Sequence, residues 1–217
     1  MELLRPPARD QGELRCCVSV ATVAAMECRY LREGTGRSLS AMFHFRIAGG
    51  GANTDLQLAA GPRVAAYPGV CTAGLWPDRF DESGLADLPH PAHFQDALRS
   101  RSIPSFATGE QYRAVHPSPM GIRQHLLGGY AVVCAFRQTL GYAEVLAGAA
   151  THGDDLEGGS GILHAVAAVG YSVQRRALRI LDSRGPDVGA DGTWWLPDRL
   201  VGAIVVNAFS FFGVTNG

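Results

Sequence analysis

Asp10-Gln11-Gly12-Glu13-Leu14-Arg15-Cys16-Cys17-Val18-Ser19 decides how this chain folds once it is set beside Gly161-Ile162-Leu163-His164-Ala165-Val166-Ala167-Ala168-Val169-Gly170-Tyr171. The first stretch places a glutamine six residues ahead of a cysteine. The second holds one histidine in a strand-like run, 147 residues after that cysteine. A thiol needs a base before it is a good nucleophile at neutral pH. A cysteine and a histidine that meet in space rather than in sequence supply such a pair.

Working outward, Cys17 to Leu31 reads as a helix. Val18, Ala21, Ala25 and Cys28 lie on one stripe, and Val20, Val23 and Ala24 widen it. Gly34 and Gly36 stop it. A second helix is predicted over Leu39 to Arg46. A third is predicted over Leu56 to Ala66, interrupted near Gly61-Pro62, and Gly49 to Asn53 is a loop between them. Tyr67 to Pro91 is rich in Pro, Gly and Asp and reads as extended loops. Ile122 to Leu127 is a short helix ended by Gly128-Gly129. Ala131 to Phe136, His164 to Val173, Ala177 to Leu181, Thr193 to Leu196 and Ala203 to Phe209 read as strands. The turn Gln174-Arg175-Arg176 pairs the second and third of these. Gly141 to Gly159 reads as an insertion, either a lid near His164 or a solvated loop. Helices early and strands late predict an α+β protein with two lobes, a helical one over 1–115 and a β lobe over 116–217. The junction is expected between about 100 and 120, near Pro117-Ser118-Pro119.

Composition narrows the function. The 217 residues are 47% hydrophobic and 18% charged, with a formal net charge of −1. That is a globular chain with enough apolar content for a real core. All 19 basic residues are arginine, and there is no basic excess, so no nucleic-acid partner is expected. No apolar run approaches the roughly 20 residues needed to span a bilayer, so no membrane partner is expected either. Met1 to Pro7 lacks the apolar core of a secretory signal, and only ten residues precede Gln11, so neither signal nor propeptide is expected. Five cysteines without a Cys-x-x-Cys pair fit free thiols in a reducing cytoplasm. No zinc spacing is present, and neither a metal nor a cofactor is expected. No oligomeric state is assigned.

The chemistry centres on four residues. Cys17 opens a helix, whose N-terminus carries about half a positive charge and favours a thiolate. His164 would pair with that thiolate and protonate a leaving group. Asp182, in Leu181-Asp182-Ser183-Arg184-Gly185, is the candidate that orients the imidazole. The Gln11 amide, with the Cys17 backbone N–H, would donate to a developing oxyanion. Each has an ordinary reading as well. Cys17 is a buried structural thiol, with Cys16 the nucleophile instead; His164 is a satisfied core histidine; Asp182 is a turn residue; Gln11 is a polar loop residue. Cys28, Cys71 and Cys134 read as core. Histidines 44, 90, 93, 116, 125 and 152 read as surface, and Trp194 and Trp195 read as core of the β lobe.

These segments resemble the papain-like cysteine peptidases, and in particular their bacterial branch. Gln11 to Ser19 is similar to Gln-Gly-x-x-x-Ser-Cys-Trp-Ala-Phe-Ser, and Leu163 to Tyr171 to Gly-His-Ala-Val-x-x-Val-Gly-Tyr. Leu181 to Trp194 resembles the Asn-Ser-Trp-Gly … Trp-Gly-x-x-Gly-Tyr segment. Leu39 to Phe45, Gly69 to Pro77 and Ile122 to Phe136 resemble three further family stretches, and all six come in the family's order. The resemblance implies a helical lobe and a C-terminal antiparallel β-barrel lobe with the active site between them. It implies Cys17 as nucleophile, His164 as base, Asp182 at the family's asparagine position and Gln11 in the oxyanion hole. It implies a peptide or other amide as substrate. The departures are Asp182 for asparagine, Arg184 for the tryptophan that shields the triad, Val18 for another tryptophan, Leu14 for a disulfide cysteine and Cys16 for serine. An aspartate still accepts from the imidazole and favours imidazolium. Three functions are compatible: hydrolysis through a Cys17 acyl-enzyme, acyl transfer to an amine through the same intermediate, and a catalytically silent binding module.

Overall fold

The apolar stripe after Cys16 forms α1 (Cys17–Arg32), a 16-residue helix buried along most of its length. The structure, a computed structural model, describes residues 1–103, 110, 112–157 and 161–215. Gly158 and Gly159 of the predicted Gly141–Gly159 insertion lie outside the described residues, as do 104–109 and 111 of the predicted junction.

Four short helices follow: α2 (Ala41–Gly49), α3 (Ala60–Ala66), α4 (Glu82–Ala86) and α5 (Pro91–Ala97). The start of α2 is set by Ser40, whose hydroxyl accepts from the Phe43 N–H at 2.9 Å. Gly61-Pro62 does not interrupt α3; it sits in the first turn, where proline forfeits no helical hydrogen bond. The predicted loop over 67–91 contains α4, capped by Asp81.

The second half consists of β1 (Arg113–Ala114), α6 (Pro119–Leu127), β2 (Val132–Arg137), α7 (Leu140–Leu146), β3 (Leu163–Ser172), β4 (Ala177–Leu181), β5 (Thr193–Pro197), α8 (Asp198–Ile204) and β6 (Val205–Ser210). The strands form one antiparallel sheet in the order β1-β6-β2-β3-β4-β5. The α+β class holds, but this sheet is open rather than a closed barrel. Its β5 edge is already occupied: the Trp195 N–H donates to Ala150 O, and the His152 N–H to Trp195 O, both at 3.0 Å. At the other edge β1 is two residues long. Among the described residues β1 and β5 do not pair.

Strand alternation gives β3 two duties. Ala165, Ala167 and Val169 join the core that holds α1 and α2, including Met26, Phe43 and Phe45. Val166 and Ala168 join a second core with Ile122, Leu126, Leu178 and Trp194. The small side chains at 165 and 167 let α1 lie close against β3, and that contact brings position 17 to position 164. Among the described residues no helix is long and apolar enough to cross a membrane.

Candidate active site

Two adjacent cysteines begin α1 and face opposite environments. Cys16, the N-cap residue, is fully buried, and burial pushes its thiol far above the ordinary range. Cys17 is partly exposed and opens onto a cleft. Burial alone would raise its thiol too, but a hydrogen bond and the charge of His164 outweigh that, so the Cys17 thiol lies below its usual value. The competing reading of Cys16 as the reactive thiol finds no support in this placement.

His164, the second residue of β3, is buried. Its Nε2 lies 3.0 Å from Asp182 Oδ1, which leaves Nδ1 for Cys17. Burial by itself would lower the imidazole; Asp182 and Cys17 override it and push it up to about 9. Asp182 follows the end of β4 and is buried. Burial favours its neutral form, yet His164, the Trp194 indole and the Ser183 N–H hold its carboxyl below the usual range.

Donors surround the Asp182 carboxylate. Its Oδ1 also takes N–H bonds from Ser183 at 2.8 Å and Arg184 at 3.2 Å. Its Oδ2 accepts from Trp194 Nε1 at 2.7 Å and from the Tyr142 hydroxyl at 3.1 Å. Both oxygens are met by donors. An asparagine would have to aim its own NH₂ at one of those groups.

Gln11 lines the same cleft as Cys17 and His164. One N–H of its amide donates to Leu14 O at 2.5 Å, and its oxygen accepts from the Ser183 hydroxyl. The second amide N–H has no hydrogen-bond partner among the described residues. The stretch around Gln11 is sewn to the stretch after Asp182 by backbone bonds, Gln11 N–H to Ser183 O at 2.8 Å and Gly185 N–H to Arg9 O at 3.1 Å. Arg9 anchors that seam to the helices. Its guanidinium reaches both oxygens of buried Glu27 on α1 at 2.7–2.8 Å, and Asp78 Oδ2 at 2.8 Å.

Sequence reasoning brought forward Cys17, His164, Asp182 and Gln11, and the fold gathers all four. It missed Tyr142 and the Arg9–Glu27–Asp78 cluster. Tyr142 lies on α7, inside the segment read as a lid or loop; its ring centre is 5.6 Å from that of His164. Trp194 is core as expected, but it also serves Asp182. Trp195 is half-buried between Arg175 and Arg179 rather than core. Two of the histidines read as surface are buried: His44 against Ser19 and the Gly61 carbonyl, and His152 against Thr139 and Trp194.

Two arms of the cleft meet at Cys17 and His164. One is an apolar groove of about 600 Å³ lined by Val18, Leu56, Leu58, Ala135, Ala165 and Val206. The other, about 230 Å³, is polar and holds Gln11, Glu13, Arg15, Asp55, Gln138 and Arg184.

No protein-family model and no curated protein matches the chain in sequence. Solved structures do match in shape. Xylellain, a cysteine protease from Xylella fastidiosa, superposes with a TM-score of 0.85 at 20% identity, over 98% of this chain and 85% of that one. Digestive procathepsin L 3 of Tenebrio molitor larval midgut gives 0.74 at 15% identity, over 96% and 67%. The cysteine protease CMS1MS2 of Carica candamarcensis gives 0.68 at 18% identity, over 96% and 93%. A likeness this extensive fixes the architecture: the chain has the papain-like α+β fold, the one these cysteine proteases share.

Proposed function

We propose that the protein is a thiol hydrolase that cleaves a peptide or other amide bond through an acyl-enzyme on Cys17. The observation that carries this is the continuous chain from the Cys17 thiol through His164 to Asp182, in a cleft open to a substrate. In the resting site the proton resides on His164 and the charge on sulfur. The thiolate attacks the carbonyl carbon. The oxyanion is met by the free Gln11 N–H and the Cys17 backbone N–H at the start of α1, where losing one donor typically costs roughly 10²–10³ in rate. His164 gives its proton to the departing amine. It then takes one from water, whose hydroxide displaces the thiolate and releases the acid. Asp182 keeps the imidazole oriented and favours its charged form through both halves.

The apolar groove suits a hydrophobic side chain of a peptide beside the bond that is cut. All five cysteines are free and four are buried, which suits a reducing cytoplasm.

The test is the rate of Cys17 alkylation by iodoacetamide across pH, in the wild type and in Cys17→Ala, Cys16→Ala and His164→Ala. Fast labelling of Cys17 well below pH 8.5, lost in His164→Ala, is expected. An ordinary thiol profile, or labelling mainly of Cys16, would overturn the proposal. Product analysis with and without an added amine then separates water from an amine as acceptor.

A further inference from the structure

The polar arm of the cleft carries one cation that the catalytic chain does not use. Arg184 is exposed two residues after Asp182, and its backbone N–H is already committed to that carboxylate. Its guanidinium has no ion pair and no hydrogen bond among the described residues, and the residue lines the arm together with Cys17, His164 and Gln11. The other cation there is neutralised, since Arg15 Nη1 lies 2.6 Å from Asp55. Gln11 and Gln138 add neutral polar groups, and Glu13 stands at the exposed side of the same arm. The charge of Arg184 is felt inside the site, where it opposes the rise of the Tyr142 phenol and the Cys16 thiol.

We infer that Arg184 is a specificity-determining residue that receives a carboxylate on the leaving portion of the substrate, either an acidic side chain or a free C-terminus. This rests on the thiol-hydrolase reading of the same site. The apolar groove takes the acyl portion, so the leaving portion falls in the polar arm, past His164, which protonates it. A guanidinium and a carboxylate form a charge-assisted pair there, stronger than a contact on an open surface because the arm is concave.

The experiment uses peptides identical up to the scissile bond and followed by Glu-amide, Gln-amide, Ala-amide or Ala with a free carboxylate. The wild type is expected to favour Glu over Gln, or free Ala over Ala-amide, by roughly tenfold in kcat/KM. Whichever pair shows the preference identifies the source of the carboxylate. The ratio should fall to near 1 in Arg184→Gln, invert in Arg184→Glu, and shrink at about 0.5 M salt. A wild-type ratio near 1 in both pairs, or one that Arg184→Gln leaves unchanged, overturns the inference. A second measurement separates it from the hydrolase reading: the ratio of Cys17 alkylation by iodoacetate to that by iodoacetamide. If no peptide is cleaved but Arg184→Gln lowers this ratio, the anion site stands and hydrolysis falls. If peptides are cleaved while neither ratio responds to Arg184→Gln, hydrolysis stands and the anion site falls.

Discussion

His44 and His164 are both buried histidines set against α1, one beside Ser19 and the other beside Cys17, yet burial leads them to opposite ends of the imidazole range. His44 Nε2 faces the Gly61 carbonyl at 3.0 Å, which can only accept, so Nε2 bears the hydrogen and the Ser19 hydroxyl donates to Nδ1 at 2.8 Å. Among the described residues no charge faces it, and burial holds it neutral down to about 4. His164 has a carboxylate on one nitrogen and an ionisable thiol on the other, and is pushed up to about 9. The difference is not exposure but the charge of the partners. A hydroxyl and a carbonyl leave a buried histidine neutral; a thiol and a carboxylate hold it charged.

The largest effect should come from making the second histidine more like the first. Asp182→Asn removes the charge and sets an NH₂ against the Trp194 indole N–H, which cannot accept. With hydrolysis as the activity, kcat/KM should fall by roughly 10³–10⁴. The bell-shaped pH profile should also narrow from both sides. Its alkaline limb, set by His164 at about 9, should move toward the ordinary histidine value near 6.5. Its acid limb should rise, because the Cys17 thiol loses the imidazolium that lowers it. A pH–rate profile measures both, and an unmoved alkaline limb would refute the role given to Asp182.

The converse test acts on stability. His44 has a folded value of about 4 and an unfolded value near 6.5. Between the two, the unfolded chain binds more protons, so stability is lost as pH drops from 6.5 to 4. The loss contributed by this one group amounts to about 3 kcal/mol at the bottom of that window. His44→Gln can keep both hydrogen bonds without titrating. The gap between wild type and variant in denaturant unfolding should therefore shift in favour of the variant as the pH is lowered. Parallel stability curves from pH 7 to pH 4 would show that His44 is not held neutral by its site.

How far the sequence revealed this contrast depended on range. α1, β3 and β4 were legible because apolar periodicity and glycine punctuation are local, and the four site residues were legible because they sit in or beside those elements. His44 reads as surface because no motif surrounds it, while its neutral burial depends on Ser19 and Gly61, each on a different element. Apart from Leu140, α7 lies in the stretch Gly141 to Gly159, whose glycines and acidic residues read as an insertion between strands. Gly141 is required by packing instead: a Cβ there would come within 2.4 Å of the Gly153 carbonyl oxygen. Tyr142 was hidden with it. The open sheet was not legible, because what occupies the β5 edge is a segment some 45 residues earlier in the chain. Arg9, Glu27 and Asp78 are three charges spread over 70 residues, and nothing local links them.

The smallest expected effect asks why the partner of His164 is a carboxylate at all. Trp194→Phe deletes one donor to Oδ2 and leaves the Tyr142 hydroxyl and both backbone N–H groups in place. Its cost through Asp182 should be about 1 kcal/mol, or less than tenfold in kcat/KM. The informative quantity is its coupling to Asp182→Asn. The Tyr142 hydroxyl can rotate to accept from an asparagine NH₂, but the Trp194 indole N–H cannot. In the Asp182→Asn background Trp194→Phe therefore removes a clash of donors rather than a bond. The double variant should be better than the sum of the two single losses by about 1–2 kcal/mol, while the cavity left by the smaller ring is common to both arms of the cycle and cancels. Additive losses would mean that donor crowding does not select aspartate, and that its charge alone separates His164 from His44.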